Sequence, residues 1–180
     1  SDLSINEQSL KNIFQNCSDF VIRPIYIYGN VKMLVVYIDG MCDTKTLDEI
    51  VLKPMMFEGL PDGMSEARTM GEVIEQQLIA VTAVKAAAKL NELIDGIIKA
   101  NIGIIVEGEA KALIAGLQGF EKRGIEEPQT EVVIRGPRDG FTESLRTNTT
   151  LLRRRIRSTK LKLESFSIGE YSQTDVAIAY

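Results

Sequence analysis

The chain has 180 residues, 44% of them hydrophobic and 26% charged, with 14 Gly, 5 Pro and a formal charge of -4. That length and mixture bury a real core in one domain or two small lobes, and they exclude collagen-like, mucin-like and disordered classes. Histidine is absent, which removes Ser-His-Asp and Cys-His nucleophiles, histidine-bearing zinc motifs and an imidazole proton shuttle from the chemistry available within this chain. Cys17 and Cys42 are too few for a four-thiolate zinc site or a disulfide framework, so a reducing compartment is expected. Neither a GxxxxGK[ST] loop nor a GxGxxG after a strand occurs. Residues 76–84 form the longest uncharged apolar stretch, about half of the roughly eighteen residues a membrane span needs. The start carries no basic, apolar, small-residue leader, and no signal peptide is expected.

From Asn6 to Cys17, apolar Leu10, Ile13, Phe14 and Cys17 recur at helical spacing and predict an amphipathic helix. Phe20 to Tyr28 and Val31 to Ile38 are rich in Val, Ile and Tyr and flank Gly29-Asn30, a hairpin pattern. The second of these strands is apolar on both faces, as in a covered sheet. A helix is expected from Thr44, N-capped by Asp43, with Leu47, Ile50 and Val51 inward and its end before Pro54. Met55 to Met70, with Gly59, Pro61 and Gly63, reads as a linker or irregular loop.

Gly71 to Gln77 predicts a short helix, Ile79 to Val84 a strand, and Leu90 to Lys99 a helix burying Leu90, Leu93, Ile94, Ile97 and Ile98. Ile102 to Val106 and Lys111 to Leu117 flank Glu107-Gly108-Glu109-Ala110 as another hairpin. Glu131 to Arg135 predicts a short strand, followed by a loop through Gly140. Thr142 to Arg157 predicts the clearest helix, with Leu145, Leu152 and Ile156 as its apolar stripe. A last hairpin is expected from Leu161 to Tyr180. Its final Val176-Ala177-Ile178-Ala179-Tyr180 repeats the pattern of Met33-Leu34-Val35-Val36-Tyr37 without the helix that follows the first copy, so the native polypeptide is expected to continue.

Charge is unevenly spread. Between Arg135 and Lys162 there are nine basic and two acidic residues, a local balance of +7 that leaves -11 for the rest. Helical spacing puts Arg146, Arg153 and Arg157 on one face, away from Leu152 and Ile156. Four readings fit such a face. It can be a solvated set of arginines in the last helical turns, paired with acids elsewhere. It can meet nucleic acid, which overall acidity and the lack of interleaved aromatics oppose. It can meet anionic lipid head groups, or it can dock on an acidic partner or a second copy of the chain. Pairs such as Asp48-Glu49 and Glu126-Glu127 read as solvated surface, and no catalytic residue, metal or cofactor is expected.

Gly124-Ile125-Glu126-Glu127-Pro128, the stretch from Val133 through Arg135-Gly136-Pro137-Arg138-Asp139-Gly140 to Thr149, and Leu152-Arg153-Arg154-Arg155-Ile156-Arg157 together form a dense signature. It resembles that of the A subunit of the bacterial spore germinant receptors, the GerA family. The resemblance is strongest from Gly119 to Tyr180 and thins toward the N-terminus. It implies the soluble N-terminal region of a protein of the spore's inner membrane, with this domain on the cytoplasmic (core) side and the membrane reached through further C-terminal chain. It also implies B and C partner subunits, other copies of the A subunit, and detection of a nutrient such as an amino acid, sugar or nucleoside that triggers germination. Nucleic acid is not an expected partner, and the family supplies no catalytic residues.

The expected fold is mixed α/β, two small lobes built from hairpins and flanking helices. Residues 1–58 with 158–180 form the first lobe, 59–72 a linker and 73–134 the second. Residues 135–157 form the signature loop and arginine-rich helix that connect them, and the cleft between lobes suits a small ligand. Candidate ligand or partner contacts are Arg135, Arg138, Glu143, Arg146, Asn148, Arg153 and Arg157. Glu126, Glu127, Pro128, Gly136, Pro137 and Gly140 read as structural signature. Either the domain senses the nutrient itself, or it is an assembly module that docks on sister subunits or the membrane surface while the nutrient binds elsewhere.

Overall fold

A computed structural model describes residues 2–57, 69–119 and 140–180. The architecture is mixed α/β: helices pack on a five-stranded antiparallel sheet, and a two-stranded hairpin stands beside it. The strand expected at Glu131 to Arg135 lies outside the described residues, as do most of the 59–72 linker and the signature residues Glu126, Glu127, Pro128, Arg135, Gly136, Pro137 and Arg138.

Helix α1 spans Leu3–Ile13, its first turn capped by the Asp2 side chain, which accepts from the Ser4 N–H at 2.9 Å. It ends earlier than its apolar spacing predicts, and Phe14 instead stacks on Phe20 with ring centroids 3.9 Å apart. Strands β1 (Phe20–Ile27) and β2 (Val31–Ile38) pair antiparallel. Their turn centres on Tyr28 and Gly29, both at positive φ, one residue before the expected position. The right-handed twist of the strands favours such a left-handed pair. β1 is an edge strand, which is where Pro24 is tolerated because no second neighbour needs its missing N–H.

The helix that starts at α2 (Thr44–Thr46) does not stop before Pro54. It widens into a π-helix over Leu47–Leu52 and continues as α3, Lys53–Phe57. The Lys53 N–H reaches back to the Asp48 carbonyl, five residues away. Proline clashes with the carbonyl four residues before it and brings no N–H, and the wider turn ahead of Pro54 accommodates both effects.

Helix α4 is Met70–Ile79, opened by a capping box in which Thr69 and Glu72 satisfy each other's N–H groups. It takes up most of the segment before the strand, so β3 begins only at Val84 and runs to Ala87. Helix α5 (Leu90–Ile98) buries Leu93, Ile94 and Ile97, and β4 (Ile102–Val106) and β5 (Ala112–Ala115) form the next hairpin. Gly103 lets α5 lie close on the sheet, because a Cβ there would sit 2.6 Å from Leu93 Cδ1 and 2.7 Å from Val36 Cγ2.

The sheet order is β1-β2-β4-β5-β3. The sequence divides these strands between two lobes, but β2 and β4 are hydrogen-bonded neighbours, with Met33 opposite Val106 and Val36 opposite Gly103. Both are buried residue after residue, from Met33 to Ile38 and from Ile102 to Val106. Strands apolar on both faces take the centre of a sheet, where their two flat sides are covered. One core therefore runs through the sheet from Leu10 and Phe14 to Leu113 and Ile114. The pairing joins strands of both expected lobes in one sheet, and two cavities lie where residues of both, among them Asp43, Lys99 and Gln118, meet residues 144–157.

Helix α6 (Leu145–Arg155) leads into the second sheet, β6 (Leu163–Ile168) paired with β7 (Thr174–Ala179). A single bridge, Cys17 to Leu163, ties that hairpin to the α1–β1 turn. Lys162 strengthens the tie by donating to the Ile13 carbonyl at 3.1 Å.

Candidate ligand cavity beside helix α6

The entry to α6 is fixed by its own polar residues. Ser144 is the N-cap and accepts from the Thr147 N–H at 3.3 Å. Asn148 clamps Thr142, accepting from its N–H and donating to its carbonyl, both at 2.7 Å. A mid-helix asparagine weakens a helix by propensity, and this reciprocal pair offsets the weakness by fixing the chain that enters it.

The first turns of α6 lie on the corner between β2 and α2. Arg146 donates to Asp39 at 2.8 Å across that corner. Gly40 turns the chain there at φ +80°, and a Cβ at Gly40 would collide with the Thr150 hydroxyl, so only glycine permits this approach. Thr150 is buried and returns its hydroxyl to the Arg146 carbonyl at 2.8 Å. Asp43 accepts from the Thr46 hydroxyl at 2.6 Å and from its N–H at 3.0 Å, which together hold the carboxyl below its usual range.

Between these elements is a cavity of about 380 Å³ lined by Gly40, Asp43, Lys45, Ser144, Arg146, Thr147 and Arg154, among others. A second, of about 360 Å³, is bordered by Met41, Lys99, Asn101, Gln118, Arg154 and Arg157. Cys42 faces the first, but burial pushes its thiol up to about 12, so the thiolate is not formed near neutral pH. The described residues offer hydroxyls, cations and a carboxylate to a small polar ligand.

The other end of α6 is different. Arg153 is 2% exposed and forms a bidentate pair with Asp19, Nε at 2.6 Å and a terminal nitrogen at 2.8 Å. Its remaining nitrogen donates to the carbonyls of Leu161 at 2.8 Å and Ser158 at 3.2 Å. Burial acts against the charge, but the hydrogen bonds and charge of Asp19, with Cys17 nearby, outweigh it and hold the guanidinium above its ordinary value. The expectation that Arg153 shares an outward face with Arg146 and Arg157 is therefore corrected. Leu151, Thr150 and Arg153 form the buried side, while Ile156, expected in the apolar stripe, is 47% exposed. A buried arginine replaces the missing apolar residue because each of its nitrogens has an acceptor.

Of the expected contacts, the structure brings Arg146 to the first cavity and sets Arg157 at the second, its Nε donating to the Arg154 carbonyl at 3.2 Å, while Asn148 is engaged with Thr142 and lines neither. Glu143 is exposed ahead of the helix. Gly140, also in the described part, precedes the loop that Asn148 clamps. Sequence reasoning missed Asp19, Asp39, Lys45 and Lys99. The strand-ending Asp39-Gly40 pair held the only usable signal, since an acid beside a turn glycine is a natural mate for a helix arginine.

The described residues thus define a mixed α/β domain with a polar cavity against one helix. The chain belongs to the GerA family: the family model described as the Bacillus/Clostridium GerA spore germination protein matches residues 8–180. It is 34% identical over 180 residues to spore germination protein KA of Bacillus subtilis, covering 99% of this chain and 32% of that protein. It is 35% identical over 179 residues to the uncharacterized membrane protein YfkQ of the same species, covering 99% and 34%. The fold matches the crystal structure of the N-terminal domain of the A subunit of the Bacillus megaterium spore germinant receptor GerK3, with a TM-score of 0.76 at 27% identity, over 99% of this chain and 64% of that one. The chain thus spans about a third of the length of these curated relatives. Among the described residues, no helix is long and apolar enough to cross a membrane.

Proposed function

We propose that this chain is the sensing part of the N-terminal region of a nutrient germinant receptor A subunit, taking part in the detection that triggers spore germination. The observation that carries the reading is the 380 Å³ cavity between α6 and the β2–α2 corner, within the size range of small-ligand sites and lined by mixed polar groups. A ligand there touches both α6 and the sheet. Helix α6 lines that cavity from Arg146 to Arg154, and its buried Arg153 grips the segment that leads into the β6–β7 hairpin through Ser158 and Leu161. Ligand binding biases the seating of α6 against the sheet, and the hairpin carries that bias out of the domain. In this reading the domain works with B and C subunits and other copies of the A subunit at the spore's inner membrane, on the core side.

Titrating the isotope-labelled chain with separate amino acids, sugars and nucleosides in two-dimensional NMR tests the reading. Saturable shifts at Lys45, Thr147 and Arg154 are expected for one nutrient class, and a spectrum unmoved by the whole panel would overturn it. A second reading, an assembly module docked on a sister subunit with the nutrient bound elsewhere, draws on the hairpin, where Phe166, Ile168 and Ile178 are 41%, 53% and 50% exposed. That reading predicts the unmoved spectrum.

A further inference from the structure

The two cavities share a border, Arg154, and among the described residues that line them the cations outnumber the carboxylates. Lys45 and Arg146 line the first, Lys99 and Arg157 the second. Five cations therefore edge one groove along α6. Among the described residues, the carboxylates there are Asp43, itself in the lining, and Asp39, which accepts from Arg146, and Arg154 is also engaged. This excess belongs to a chain whose net charge is -4, so the groove is not a sample of the surface in general. Clefts lined by one sign of charge concentrate the opposite ion.

We infer that the groove takes a small multivalent anion, a molecule carrying two or more carboxylate or phosphoryl groups, one seated beside Lys45 and Arg146 and another beside Lys99 and Arg157, with Arg154 between them. The inference rests on the sensing reading above and names the chemical class of its ligand. A single anionic group reaches one cavity only. Two groups on one molecule engage both, and the second contact forms without a further loss of translational freedom, which makes the bivalent ligand the stronger binder. Guanidinium forks suit both carboxylate and phosphate, so the lining selects the charge of the ligand rather than the element that bears it. The Cys42 thiol and the cavity hydroxyls complete the wall without changing its sign.

The test is a set of NMR titrations of the 180-residue chain at constant ionic strength, with pyrophosphate, propane-1,2,3-tricarboxylate, inorganic phosphate, acetate, glycine and glucose as probes. Saturable shifts around both Lys45 and Asn101 are expected for pyrophosphate or the tricarboxylate, with affinity at least about tenfold above phosphate or acetate. Pyrophosphate alone assigns a phosphorylated ligand, and the tricarboxylate alone assigns a polycarboxylate. Lys45→Gln and Arg157→Gln, one exposed position at each cavity, should each weaken the multivalent probe by about fivefold or more and leave acetate binding nearly unmoved. Two outcomes overturn the inference. If glycine or glucose shifts the cavity and the anions do not, the sensing reading survives and the anion class falls. If no probe of any kind shifts the spectrum, and the nutrient panel is silent too, both fall.

Discussion

Arg146 and Arg153 sit seven positions apart on one helix, yet 64% of the first side chain is exposed and 2% of the second. Each has an aspartate from the β1–β2 region as partner, Asp39 and Asp19. The difference is what surrounds the pair. Arg146 spans an open corner beside the cavity, where water competes for both charges. Arg153 is enclosed by the α1–β1 turn and the segment from Ser158 to Leu161, and every nitrogen it carries has an acceptor. The same residue type thus serves as frame at one end of α6 and as cavity wall at the other. Even the twin aspartates are linked, since the Asp39 N–H donates to the Asp19 carbonyl at 2.8 Å.

The sharpest break in this comparison is Arg153→Ala, which strands the Asp19 carboxylate and two carbonyls in a dry site. Loss of one member of a buried pair costs about 3–5 kcal/mol, to be read as a lower urea midpoint. Arg153→Lys should recover only part of it, because an ammonium cannot reproduce the two-pronged contact with Asp19 while also reaching Leu161. Gly40→Ala comes next, at about 1–3 kcal/mol, since a side chain at φ +80° meets the Thr150 hydroxyl. Thermal unfolding measures it, and Thr150→Ala in the same chain should relieve part of the loss. Asn148→Ala removes the clamp on Thr142 and should cost about 1 kcal/mol, with faster amide exchange in the first turn of α6.

Smaller still is Arg146→Ala, within about 0.5 kcal/mol as for other exposed pairs, although ligand affinity should fall. The least effect concerns pH. Asp43 is held below its usual range by Thr46, so the cap on α2 is fully present above the unfolded carboxylate pKa and is lost as pH falls through the lower folded value. Acid titration of the Thr46 amide by NMR should follow that fall, and Asp43→Asn should flatten it.

Much of the frame was legible because it follows local rules. The Asp43 cap, the apolar stripe of α5 and the three hairpins all announce themselves through period and turn residues. The continuation through Pro54 was not legible, since a π-turn depends on a choice between two hydrogen-bond registers that no period shows. The pairing of β2 with β4 is a long-range choice between equally apolar partners. The phase of α6 misled for a physical reason. Leu152 and Ile156 look like its inward side, but Thr150 and Arg153 are buried in their place, each satisfied by a partner distant in sequence or one turn back. Patterns of hydrophobicity record apolar burial, and a buried, hydrogen-bonded guanidinium leaves no such mark. Arg146 could be placed at the site because exposed arginines stay where spacing puts them.

Equilibrium urea unfolding of Arg153→Ala beside Arg146→Ala tests the division of α6 most directly. The account expects the first to lose about 3–5 kcal/mol and the second no more than about 0.5 kcal/mol. Equal losses, or an Arg153→Ala chain as stable as the parent, would contradict it.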